Sequence, residues 1–319
     1  NTTPIKKKQW QWDLNFTYTR NRNKIVELSP DVTSYINLDG AANYGNYRIA
    51  SVAKVGSDYG MLMSDSWIKT DEKTGKPVVG YTNKFRTVYY KRGGTVKEVG
   101  SMLPNFLGSL NSTLRWKDLS LYVLFDARFG GYVASYNSRY ATAYGFSGET
   151  EKYRKGMTWT SKYANAQDKV FTDGFIPDVV FDAGTIVTTP GGTNQDVSGM
   201  TYQEAYEKGY VEPAHLQSAA YFKNSWGTGV INDDWFKKIN YIALREITLS
   251  YNVPTKISSY IGAKNLSLSF TGRNLAYLLN TAPNHENPES VRGTGAAQFR
   301  MRSFMPYTAS YLFTLNATF

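Results

Sequence analysis

Two histidines, His215 and His285, are the only ones in the chain, and there is no cysteine. A hydrolase needs a nucleophile, a base and an orienting group brought together, and two isolated histidines in loop-like segments do not supply that constellation. The Asp and Asn residues of the loops lack the spacing of a calcium loop, and without cysteine neither a thiolate metal site nor a disulfide framework can form. The chain is therefore expected not to be an enzyme and to use no metal or cofactor. What remains is the chemistry of charges and rings. Arg115, Asp126, Arg128, Arg245 and Arg273 interrupt otherwise regular alternating segments, while Tyr136, Tyr140, Tyr144, Phe146, Trp159 and Tyr163, and later Tyr202, Tyr206, Tyr210, Tyr221 and Trp226, crowd one long polar stretch. Such charges can hold a substrate or pair with one another. Such rings can stack on a ligand, bury a covering partner, or pack among themselves.

The elements that must position these side chains are strands. From Tyr307 the odd positions read Tyr307, Ala309, Tyr311, Phe313, Leu315, Ala317 and Phe319, against Thr308, Ser310, Leu312, Thr314, Asn316 and Thr318. Successive strand side chains point to opposite faces, so this strand lies between an apolar phase and a wet one. Trp10–Arg20 repeats the pattern, with Trp10, Trp12, Leu14, Phe16 and Tyr18 on one parity. Phe106–Trp116 and the run from Leu119 to Arg128, joined by Lys117-Asp118, read as a hairpin that turns Arg115, Asp126 and Arg128 to the wet side. Over Ile239–Tyr251 the apolar parity switches near Arg245-Glu246, which marks either a bulge or a change of surroundings where the strand leaves the membrane. Leu266, Leu268 and Phe270 then face outward, and Arg273 inward.

Composition agrees with strands that cross a membrane. The 319 residues are 41% hydrophobic with a mean hydropathy of −0.43, and no run of 18 apolar residues could span a bilayer as a helix. A barrel keeps a low average because only alternate residues must be apolar. Aromatics at 15%, with 25 Tyr, suit interfacial girdles. The net charge of +10 is dispersed, Lys6-Lys7-Lys8 being its longest run, and no recognition helix or zinc spacing accompanies it, so nucleic-acid binding is not expected. Asn1-Thr2-Thr3-Pro4 does not resemble a signal peptide, and the chain reads best as the distal piece of a longer polypeptide.

Counting Lys24–Leu28, Tyr47–Val55 and Tyr59–Lys69 as further strands gives nine crossings. Short turns are expected at the periplasmic end and long loops outside, which makes the C-terminus periplasmic. The longest loop, about 129–234, is expected to carry a short helix over 202–208, opened by the capping box Thr201-Tyr202-Gln203-Glu204 and stopped at Gly209. The fold class is then all-β: a transmembrane antiparallel β-barrel with long extracellular loops. Nine strands cannot close as an even-numbered bacterial barrel, and an open edge is not tolerated in hydrocarbon, so other polypeptide must complete the wall.

Several stretches resemble the C-terminal barrel region of SusC/RagA-type TonB-dependent outer-membrane transporters. They are Val99-Gly100-Ser101-Met102-Leu103-Pro104-Asn105-Phe106, Phe125-Asp126-Ala127-Arg128-Phe129-Gly130-Gly131, and the run from Tyr241 to Pro254 with Arg273-Asn274-Leu275 and Asn287-Pro288-Glu289. The family more often has Asp at the position of Asn287. The resemblance runs from Trp10 to Phe319 and implies a channel of roughly twenty-two strands with a plugged lumen. It implies as partners the N-terminal barrel and plug of the same transporter, TonB acting through that N-terminal part, outer-membrane lipid, a SusD-like surface lipoprotein, and an oligosaccharide or peptide substrate. Under it the five charges become substrate or plug contacts in the lumen. Tyr136, Tyr140, Trp159, Tyr206 and Trp226 become lid or ligand contacts, and Tyr311, Phe313, Leu315 and Phe319 form the strand recognised in barrel assembly. Two other readings compete: a passive outer-membrane porin and a soluble, secreted carbohydrate-binding β protein.

Overall fold

A computed structural model describes residues 1–38, 49–84, 86–143, 156–214, 231, 236–292, 295, 298–302 and 306–319. The main sheet follows the order β1 (Thr2–Lys7), β2 (Trp10–Thr19), β9 (Phe106–Trp116), β10 (Leu119–Ser135), β16 (Phe236–Val253), β17 (Asn265–Asn280), β20 (Ser310–Thr318). Neighbours along this path are antiparallel throughout. Register obeys the hydrophobic pattern: Trp10 faces Trp116, Phe16 faces Leu110, Leu121 faces both Leu114 and Leu249, and Phe270 faces Phe313. A one-residue slip would turn each apolar row to the polar side, so the pattern itself selects this pairing.

The connections divide cleanly between the two ends of this sheet. At one end lie the tight turns Lys8-Gln9 and Lys117-Asp118, the connection 254–264 with its helical turns Thr255–Ser258 and Ser259–Ile261, and Phe319. Long connections leave the other end, over 20–105, 136–235 and 281–309. The first two build a layer of their own. The strands β3 (Tyr35–Asn37), β4 (Ile49–Lys54), β5 (Met61–Ser64) and β8 (Lys97–Ser101) form one small sheet, and β6 (Val78–Thr82) with β7 (Thr87–Tyr90) starts another. Into the latter the second connection inserts β13 (Val180–Phe181), parallel to β6. Two hairpins, β11 (Met157–Thr160) with β12 (Val170–Gly174) and β14 (Ile186–Thr188) with β15 (Asn194–Asp196), complete the layer. From the third connection β18 (Val291–Arg292) pairs β19 (Arg300–Met301), which lies parallel to the end of β10.

The buried cores belong to this layer. One cluster joins Val79 and Val88 of the first connection to Val179, Phe181, Val187 and Tyr202 of the second. Lys69 pairs with Asp182 at 2.7 Å and Lys76 with Asp178 at 2.7 Å across the same join. Two further clusters draw in the far ends of β10 and β16, through Val133, Ala134, Phe236, Ile239, Tyr241 and Ala243, with Tyr277 of β17 packed against one of them. The helix Tyr202–Glu207 forms as the capping box predicts: Thr201 Oγ1 accepts from the Glu204 N–H at 3.2 Å, and Glu204 Oε2 accepts from the Thr201 N–H at 2.7 Å. Gly209 follows it at φ 73°.

Three expected crossings are not in the wall. Lys24–Leu28 forms no strand, and β4 and β5 stand in the small sheet instead. Ile49, Ser51, Val52 and Ala53 are all buried, so β4 has two covered faces where a wall strand would have one. The apolar Val52 on the off parity marks this. Thr2–Lys7 adds a crossing that its lysines and Pro4 concealed, proline being compatible with an edge strand. Since β1 and β2 turn at Lys8-Gln9, beside the Lys117-Asp118 turn, β2 runs opposite to the direction expected for Trp10–Arg20; the Lys117 N–H donates to the Gln9 carbonyl at 3.0 Å.

Candidate functional site

The site is the wall itself, whose two faces carry opposite chemistry. On one face Ile5, Trp10, Phe16, Tyr18, Leu110, Leu121, Leu249, Leu268, Tyr311, Phe313 and Leu315 are exposed. Phe313 is 87% exposed, Phe16 65% and Leu315 64%, and none of the three core clusters includes them. Left in water, each such side chain would forgo about 1.5–3 kcal/mol of burial. Rings border this apolar field at both ends. Trp10 stacks on Trp116 at 5.5 Å beside the short turns, and Phe106 stacks on Tyr18 at 5.3 Å and on Phe129 at 4.9 Å beside the long connections. The rise of a strand puts about 26 Å between Trp10 and Tyr18, or roughly 20 Å along the normal at the usual barrel tilt, close to the apolar band of a bilayer-spanning barrel.

The opposite face is polar, and its charges satisfy one another. Arg115 bonds Asp13 on the adjacent strand, and Arg273 Nε donates to Glu246 Oε2 at 2.9 Å. Arg128 donates to the carbonyls of Gly130 and Met102, both at 3.3 Å. Arg245 is the hub. Its Nη2 donates to Asp126 Oδ2 at 2.9 Å, and its fork reaches both oxygens of Glu289 at 2.6 and 2.8 Å. A bulge at Arg245-Glu246 makes this reach possible: Leu244 and Glu246 pair Phe125 and Leu124 directly, and Arg245 is the extra residue between them.

Asn287-Pro288-Glu289 thus ties the third connection to the wall. Tyr277 donates its hydroxyl to Glu289 Oε2 at 2.8 Å and to Asn287 Oδ1 at 3.1 Å. The Glu289 N–H also donates to Asn287 Oδ1 at 3.1 Å, so one amide oxygen accepts both hydrogen bonds at this position. Burial opposes ionisation of Glu289, but the hydrogen bonds from Arg245 and Tyr277 hold its carboxyl below the ordinary value. A carboxylate held low in the folded state adds stability above its unfolded value and loses it as pH falls through the folded one. The clamp is therefore intact at neutral pH and opens only below the usual carboxylate range. Arg245→Met is expected to remove about 1–3 kcal/mol of local anchoring, discounted because Asp126 and Glu289 remain over a third exposed. Limited proteolysis with mass mapping should then show cleavage within 281–309 rising several-fold, with the rest of the wall unchanged.

The long-loop aromatics are held by packing within the layer. Tyr136 is 2% exposed, and Tyr140 packs against the same cluster. Tyr206 packs on the core around Tyr202. Trp159 stacks on Phe171 at 4.7 Å, and its Nε1 donates to Glu212 at 3.2 Å. His215, Tyr221 and Trp226, together with Tyr144 and Phe146, lie outside the described residues. His285 sits in the turn Pro283–His285 with φ 54°. Sequence reasoning missed the centrality of Glu289 and the seat of Glu212. The first was visible in Asn287-Pro288-Glu289; no local signal marked the second.

No protein-family model matches the chain, and no curated protein matches it in sequence. Solved structures do match its fold. A chain of the RagAB peptide importer in its open-open state superposes with a TM-score of 0.56 at 12% identity, over 99% of this chain and 27% of that one. The RagAB peptide transporter and the closed-closed state of the importer each give 0.54 at 14% identity, over 99% and 28%. The chain spans about a quarter of the length of these neighbours. It therefore has the all-β fold of a section of such a chain, with antiparallel strands throughout the wall and no helix among the described residues long and apolar enough to cross a membrane.

Proposed function

We propose that this chain is the C-terminal wall section of a TonB-dependent outer-membrane importer, taking up glycans or peptides under a SusD-like surface lipoprotein. The observation that carries this reading is the exposed apolar face bordered by rings, set against a polar face of paired charges. An open row of unpaired backbone groups costs several kcal/mol per group in hydrocarbon, so the outer edges of β1 and β20 pair with further strands of the same barrel. The short turns and Phe319 then lie on the periplasmic side, and the layer built from 20–105 and 136–235 lies outside. There its surface meets the lipoprotein. The polar face lines the lumen, where Arg115, Asp126, Arg128, Arg245 and Arg273 stand toward plug and substrate while paired with protein groups. Tyr311, Phe313, Leu315 and Phe319 serve as the assembly strand. The exposed apolar face argues against a soluble module, which would aggregate through so large a patch.

Transport decides between importer and porin. In cells carrying the full-length protein, uptake of its substrate should cease when the proton gradient is collapsed or TonB is removed. Uptake that continues at full rate without either would make the barrel a passive pore.

A further inference from the structure

A pocket of about 160 Å³ opens in the layer between Tyr81, Lys84 and Arg86, residues 159–171, and Glu212-Pro213, away from the wall. Its walls are prearranged. Trp159 lies against Phe171, and the Trp159 indole, the Ser161 hydroxyl at 2.8 Å and the Lys162 N–H at 2.5 Å all donate to the Glu212 carboxylate. Tyr202 fixes the backbone beneath by donating to the Glu212 carbonyl at 2.8 Å. Gly174 makes room for the indole: a Cβ there would lie 2.6 Å from the ring. On the other side Tyr81 and Tyr163 share a hydrogen bond at 3.3 Å, and the Arg86 guanidinium sits over the Tyr163 ring at 3.9 Å. Burial, above all, raises both phenols, so they stay neutral donors at physiological pH.

The chemistry of these groups is selective. A guanidinium held over a ring keeps its charge and its five N–H donors, the chemistry that binds a carboxylate through two hydrogen bonds. Lys84 lines the same pocket, and the Glu212 carboxylate is engaged by three protein donors. The rings of Trp159 and Phe171 line the same pocket, with Lys169 Nζ over the Phe171 ring at 4.9 Å adding positive charge nearby. We infer that the pocket binds a small carboxylate ligand carrying an apolar or ring-shaped body, the carboxylate on Arg86 and the body against Trp159 and Phe171. The inference concerns binding alone and stands whether or not the barrel transports.

Calorimetric titration of the full-length protein in detergent with N-acetyl-phenylalanine, its amide, glucuronate and glucose tests it. The free acid should bind at least about tenfold more tightly than the amide, as expected for a charge-assisted pair. Arg86→Gln should lower acid affinity by about the same factor and leave the amide unchanged, and Arg86→Lys, which keeps the charge without the fork, should fall between. Glucuronate binding well above glucose supports the carboxylate rule and assigns the body to an acidic sugar; preference for the phenylalanine acid assigns it to a peptide end. Equal binding of acid and amide, no carboxylate binding, or loss of acid binding in Arg245→Met but not in Arg86→Gln would overturn the assignment.

Discussion

Val123→Arg is expected to destabilise the membrane-folded protein by about 2–4 kcal/mol, the penalty for arginine at the middle of a barrel's lipid-facing band. Val123 sits halfway between the two aromatic borders, opposite Ser112 and Ile247 and on the parity of Leu121 and Phe125. Thr113→Arg, at a neighbouring height on the polar face beside Asp13 and Tyr122, should stay within about 0.5–1 kcal/mol of the parent because its charge remains solvated. Reversible folding of both variants into lipid vesicles against urea, read by tryptophan fluorescence, separates them. The contrast between parities carries the argument: a soluble sheet with both faces wet would tolerate arginine equally at either position.

Gly131→Ala should cost about 2–3 kcal/mol or more through a different mechanism. Gly130 and Gly131 stand at φ 85° and 87° where β10 shifts register against β16 between Phe129 and Tyr132. A Cβ on Gly131 would lie 2.7 Å from the Met102 carbonyl oxygen and 2.6 Å from Arg128 Nη2. The arginine could swing aside, but the carbonyl belongs to backbone held by the Met102 N–H to the Gly60 carbonyl. Backbone strain and clash therefore add. Gly184→Ala is the internal comparison: its φ is 74° but nothing lies within 4 Å of the added methyl, so only the conformational term, about 1–2 kcal/mol, applies. Thermal melts of the two variants should differ in that order.

The sequence reading succeeded where one physical period dominates. β9, β10, β17 and β20 carry a two-residue alternation over their wall segments because one face meets a uniform apolar phase, and for β16 the parity switch at Arg245 offers a bulge as one of two readings, the one the register shows. Reading failed where short strands are covered on both faces. Ile49–Lys54 and Met61–Ser64 alternate weakly enough to resemble wall strands, yet they form a local hairpin in a small globular sheet that only β8, from over thirty residues on, completes. The parallel pairing of Val180–Phe181 with Val78–Val79, which knits two connections into one layer, has no local signature at all. Among candidate site residues the five charges were found by parity, but their mutual satisfaction required partners such as Asp13, Glu246 and Glu289 to be placed across strands. Arg86, Trp159 and Glu212 come together only through the folding of separate loops, and no spacing announced them.

This chain contains no cysteine, so once any cysteine elsewhere in the full-length protein is replaced, β20 is open to a direct measurement of which way its side chains point. Single cysteines at Phe313, Thr314, Leu315 and Asn316, each carrying a spin label in the full-length protein reconstituted in lipid, can be exposed in turn to a lipid-soluble and a water-soluble relaxation agent. Labels at 313 and 315 should respond to oxygen in the bilayer, and labels at 314 and 316 to an aqueous nickel complex, alternating residue by residue. Uniform response to the aqueous agent along all four positions would contradict a strand set between lipid and water.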